Sequence, residues 1–111
     1  MDIEEKAREL AGILLDSEIY NRYLAARETL SQNNELFMQV NEYRRRNFYI
    51  QNSENSNKID EIRKLLEEHD YLMNNRIVRE YLDSELILCR TIKRINSILV
   101  DKIDIDTSFI I

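Results

Sequence analysis

An all-α fold is predicted, an antiparallel helical bundle or hairpin of four to five helices with a long C-terminal helix, and three observations predict it. The 111 residues include one glycine and no proline, so the residue types that make tight β-turns, phosphate-cradling loops and strand breaks are missing. Apolar residues recur at i, i+3, i+4 and i+7 along most of the chain. Short polar pairs stand ahead of the apolar stripes, where helices need cap oxygens. With 43% hydrophobic residues the chain has the material of one domain, residues 1–104, able to bury roughly 65% of its unfolded surface. Residues 105–111 form a short tail.

The first stripe is Ile3, Ala7, Leu10 and Leu14, flanked by Ala11 and Leu15, and predicts a helix over about residues 2–15. Asp16 and Ser17 offer cap oxygens for a second, carried by Ile19, Tyr20, Tyr23, Leu24 and Leu30 to about Gln32. Asn33 and Asn34 repeat the signal, and Leu36, Phe37, Val40, Tyr43 and Phe48 extend a third helix to about Gln51. The run QNSENSN, Gln51 to Asn57, has no apolar residue and is rich in types that bond to nearby backbone, so a hairpin loop is placed there. Ile59, Ile62, Leu66, His69 and Met73 make the next stripe. From Ile77 to Ile103 one helix of roughly 26 residues follows, long enough that it must pack on several neighbours or on another chain. The tail DIDTSFII alternates weakly, a pattern that does not separate a short strand, a docking tail and disorder.

Composition excludes several functions. A net charge of -5 argues against binding DNA through bulk charge. No stretch approaches the ~18 apolar residues of a membrane span, and MDIEEKAREL lacks the apolar run of a secretion signal, so a cytoplasmic protein without membrane insertion is expected. Cys89, the lone cysteine, is expected as a small buried side chain, and one Cys with one His does not make a zinc site. His69 follows Glu67 and Glu68, but residue 66 is leucine, so even a single Glu-x-x-His unit is missing. The serines lie at caps, in the loop or on helices, and the 21 acidic residues read as solvated helix surface. Neither a catalytic constellation nor a cofactor or metal site is expected.

Two features remain. Aligning Tyr23 with Tyr81 at an offset of 58 residues brings Ile19 onto Ile77, Leu24 onto Leu82 and Leu30 onto Leu88, with Asp16-Ser17 over Asn74-Asn75. Each instance is a polar cap, then adjacent apolar residues, then a Tyr-Leu pair. Tyrosine at such a position can bury its ring and keep its hydroxyl wet, as at interfaces, or serve as ordinary core. Tyr20, Tyr23, Leu36, Phe37, Tyr81, Leu82, Leu86 and Cys89 are therefore the candidate protein interface. The second feature is YRRRNFY, Tyr43 to Tyr49, in which Arg44, Arg45 and Arg46 stand among aromatics that can stack on RNA. Three successive helical positions spread over about 200°, so the guanidinium groups cannot all face one ligand.

SEIYNRYLAARETLSQNNEL resembles the first signature of the YlbF/YmcA family of small helical bacterial regulators through Ser17, Tyr20, Tyr23, Ala26, Leu30 and Glu35. NRIVREYLDSE is similar to the second through Asn75, Val78, Tyr81, Leu82 and Glu85, and INSIL to the family ending through Ile95, Asn96 and Ile98. The resemblance implies an all-helical, non-enzymatic cytoplasmic adaptor that forms a homo-oligomer, dimer or tetramer, or a hetero-oligomer with relatives. It also implies action in an endoribonuclease Y complex that processes mRNA, influencing competence, sporulation and biofilm formation. Two positions depart from the pattern. Arg76 stands where the family has proline after the asparagine, and the tail lacks the cysteines that some members use for iron-sulfur clusters, so cluster binding is not carried over. The alternative function is an RNA-binding helical module using Arg44 to Arg46.

Overall fold

The computed structural model describes residues 2–54 and 56–103. Six helices follow one another: α1 (Ile3–Leu15), α2 (Glu18–Ser31), α3 (Asn34–Gln51), α4 (Lys58–Glu68), α5 (Asp70–Met73) and α6 (Arg76–Lys102). No strand occurs among the described residues. Expected capping residues start α2, α3 and α6, and Asp2 starts α1. Asp2 accepts from the Glu4 amide, Ser17 from Tyr20, Asn33 from Leu36, and Asn75 from both Ile77 and Val78. Each side chain satisfies an amide that a helix start leaves without a partner.

α2 and α6 pair most extensively, with the first turn of α2 near Ser84 and Ile87 and its last turns near Ile77, an antiparallel arrangement. α3 packs on α2 and on α4, and α5 on α6. The core lies where these elements meet: Ala26, Leu30, Val40, Leu72, Val78 and Tyr81 are all buried. Tyr23, Leu36, Phe37, Tyr43, Met73 and Leu82 close it from the sides.

Two expectations change. The stripe from Ile59 to Met73 is not one helix: it breaks at His69, whose amide bonds back to the carbonyls of Leu65 and Leu66. Leu65 and Leu72 turn inward, while Ile59 and Leu66 of the expected stripe face out. Cys89 is exposed instead of buried. Its neighbour Leu88 takes the inward position, and a helix turns 100° per residue, which carries Cys89 off the packed face. The tail pattern from residue 105 lies outside the described residues.

The molecule is thin. Its principal extents are 50 × 37 × 16 Å and its radius of gyration is 17.4 Å, against about 13 Å for a compact domain of about 100 residues. Two arms account for this. No residue of α1 is buried, and α6 runs on past Leu88 with its residues exposed or half-buried.

Candidate interaction surface

The two tyrosines of the repeated phrase meet. Tyr23 of α2 stacks on Tyr81 of α6 with ring centroids 5.7 Å apart, Tyr20 stacks on Tyr23 at 6.5 Å, and Phe37 of α3 meets Tyr81 edge-on at 6.2 Å. Stacked and edge-to-face pairs at these separations add to simple burial. Tyr81 is 2% exposed. Burial, with the Tyr23 hydroxyl second, pushes its phenol up to about 12 from the ordinary 10.0.

Arginines frame this cluster. The Arg27 and Arg44 guanidinium carbons lie 5.5 Å from the centroids of the Tyr23 and Tyr81 rings, within cation-π range. Arg44 Nε donates to Glu85 Oε1 at 3.2 Å, Nη2 pairs with Glu85 Oε2, and Nη1 donates to Asn41 Oδ1 at 3.0 Å. Burial works against the Arg44 charge, but the Glu85 hydrogen bond and charge outweigh it and hold the guanidinium above its ordinary pKa. One planar side chain thus ties α3 to α6 and covers the edge of the aromatic cluster. A second tie joins α2 to α6 through Arg22 Nε and Glu80 Oε1 at 2.5 Å.

The three successive arginines point three ways, as their spacing requires. Arg44 turns to α6, Arg45 Nη1 donates to Glu42 at 2.6 Å on its own helix, and Arg46 Nη1 donates to Glu68 of α4 at 3.2 Å. Arg45 and Arg46 edge an open groove of about 530 Å³ between α3 and α4, together with Tyr49 and Lys64. Tyr49 and Phe48 are exposed. His69 is half-buried between Tyr43 and Tyr71, and its Nδ1 donates to the Leu65 carbonyl at 2.8 Å, which fixes it as a structural brace at the α4–α5 break.

Of the eight candidate interface residues, the structure gathers six around the core. Tyr81 is buried; Tyr23, Leu36, Phe37 and Leu82 are half-buried against it; Tyr20 stacks at the margin. Leu86 and Cys89 are exposed on α6. Sequence reasoning missed the cross-helix pairs Arg22–Glu80 and Arg44–Glu85. The first carried a signal, since the offset that aligns the tyrosines also places Arg22 over Glu80. Also missed were the apolar residues of the arms: Ile3 is 86% exposed, Ile13 69% and Ile98 61%.

Among the described residues no group of three or more His, Cys, Asp or Glu side chains is placed to hold a metal ion. No described helix is long and apolar enough to cross a membrane.

A flat all-helical chain whose apolar residues spread over exposed arms has the makings of a regulator. The comparisons agree with that class: residues 3–104 match the model of the family described as control of competence regulator ComK, YlbF/YmcA, and the chain belongs to that family. It is also similar to a UPF0342 protein of Caldicellulosiruptor bescii, 23% identical over 106 residues that cover 93% of this chain and 89% of the relative. No solved structure matches.

Proposed function

We propose that the chain is a non-enzymatic adaptor that acts by binding other proteins, as a homo-oligomer or with family relatives, in an endoribonuclease Y-linked complex that processes mRNA. The observation that carries this reading is the pair of uncovered apolar arms on a molecule too thin to bury them itself. Contiguous exposed apolar surface of that kind belongs at protein contacts. The membership in a family of competence regulators supports the same reading. Tyr20, which stacks on Tyr23, and the exposed Leu86 and Cys89 of α6 are the candidate contact residues outside the core.

A tagged chain expressed at native level and captured with and without RNase, followed by mass spectrometry, tests it. Helical relatives and an endoribonuclease recovered under both treatments support the adaptor. Recovery of RNA-dependent proteins alone moves the assignment to an RNA-binding module at Arg44 to Arg46. One observation favours that second reading: Phe48 and Tyr49 stand exposed beside Arg45 and Arg46 on the α3–α4 groove. It requires those guanidinium groups to exchange their glutamates for phosphates, so binding must fall steeply with salt.

A further inference from the structure

The outer face of α6 carries cations that no carboxylate holds. With about 100° of turn per residue, Arg76, Arg79, Arg90, Lys93 and Arg94 fall within about 60° of the line opposite the buried Val78, Tyr81, Ser84 and Leu88, and all five are exposed. They run along about 27 Å of helix at about 1.5 Å per residue. Asp83 is the acid among them, so from Arg76 to Ser97 this face holds a net charge of +4 in a chain whose net charge is -5. Glu80, at its edge, is held by Arg22 of α2. Each ion pair among the described residues takes its cation from α1, α2, α3 or α4, and none from α6.

Neither ordinary role of a surface cation accounts for the cluster at Arg90, Lys93 and Arg94. On other helices the cations meet an acid three or four residues away, as Lys6 meets Glu9, Arg45 meets Glu42 and Arg63 meets Asp60. No acid stands at those distances from Arg90, Lys93 or Arg94; for Arg90 the positions three and four residues on are Lys93 and Arg94 themselves. Like charges at that spacing work against a helix. The helix dipole favours cations only within the last turn, where Lys102 stands. A bound anion relieves the repulsion, and a row of cations fits a row of anions.

We infer that this face binds the phosphate backbone of RNA, with Arg90, Lys93 and Arg94 as the main contact and Arg76 and Arg79 extending it. A nucleic-acid strand presents charge densely enough to meet a cation at every turn. The face has no aromatic residue to stack on bases, so it follows the backbone and not the sequence. A bilayer fits less well: the apolar stripe lies on the opposite side of α6, where Val78, Tyr81 and Leu88 are buried and Ile95 is already half-buried. In naming RNA as the polyanion, the inference rests on the mRNA-processing role of the proposed function. It differs from the reading at Arg44 to Arg46, whose guanidinium groups are held by Glu85, Glu42 and Glu68.

Fluorescence anisotropy of a labelled single-stranded RNA, titrated with the purified full chain, tests it. Binding at about 50 mM salt is expected to weaken roughly 20- to 100-fold by about 200 mM, as neutralising about three to five phosphates requires. Arg90→Gln with Lys93→Gln and Arg94→Gln is expected to weaken it by about tenfold or more and to flatten the salt dependence. Arg90→Lys with Arg94→Lys, which keeps the charge, is expected to preserve it, and so is Arg45→Gln with Arg46→Gln in the α3–α4 groove. Absence of binding at low salt overturns the inference, as does a glutamine triple variant that binds like the wild type. Displacement of the RNA by poly-glutamate at equal charge would make the face a site for an acidic protein, and displacement by phosphatidylserine vesicles a membrane contact; either overturns it. If capture of an endoribonuclease survives RNase while the purified chain binds no RNA, the adaptor stands and this inference falls. If RNA is bound on α6 and nothing is captured, the inference stands without the adaptor.

Discussion

Tyr81 is the side chain on which the packed half of the molecule turns. It belongs to α6, stacks on Tyr23 of α2, receives the edge of Phe37 from α3 and lies under the guanidinium of Arg44. Because burial holds its phenol neutral up to about 12 against 10.0 in the unfolded chain, it gives the fold a definite alkaline limit. The stabilisation is complete below pH 10 and is lost as pH rises through about 12, since the unfolded chain ionises first. Ultraviolet titration of tyrosinate alongside circular dichroism should show Tyr81 ionising together with the loss of helix. The Arg44–Glu85 pair makes a second prediction at this scale. Arg44→Met leaves a half-buried carboxylate without its cation and should cost about 1–2 kcal/mol in urea unfolding. Arg44→Met with Glu85→Leu should cost less than the single change, because the orphaned charge is gone.

Among the elements, the helix starts were legible and one helix interior was not. Every polar pair read as a cap stands at a helix start, because a Ser or Asn oxygen meeting a free amide is a local event that sequence encodes directly. The break at His69 carries no such local signal: EEHDYLM holds neither proline nor glycine, yet the His69 amide bonds back to the Leu65 and Leu66 carbonyls and the helix stops there. The same limit applies to the interface candidates. Spacing identified Tyr23 and Tyr81 as core-facing or interface-facing but could not choose between them, since that depends on where α2 crosses α6. The exposure of Cys89 was hidden for the same reason: Leu88 and Cys89 are adjacent apolar residues, and which of the two faces α2 depends on how the helices are rotated against each other.

Arg76, which replaces the family proline, gives a prediction for α6. It is the first residue of the helix, where no intrahelical bond needs its amide, and Asn75 before it has φ -86° and ψ 123°, a conformation that suits a residue preceding proline. Arg76→Pro should therefore stabilise the chain by about 0.4–1 kcal/mol, chiefly by restricting the unfolded state. Asn75→Ala, which strips the cap from the Ile77 and Val78 amides, should cost about 1 kcal/mol. Thermal unfolding of the two variants should move in opposite directions.

The whole molecule divides into a packed region and two arms, with α6 belonging to both. At 27 residues and 1.5 Å per residue this helix is about 40 Å long, most of the 50 Å length of the molecule. Its first half is anchored by Val78, Tyr81 and Leu88; its second half is held within the chain mainly by its own backbone bonds. Isolated helical segments of that length are marginal in water. One continuous rod therefore has two stabilities. Amide hydrogens from Val78 to Leu88 should exchange at the rate of global unfolding, while those from Thr91 onward should exchange faster. The order of the second half, and its resistance to proteases, can therefore be set by whatever covers it while the first half keeps its own, so one helix holds a fixed part and an adjustable part.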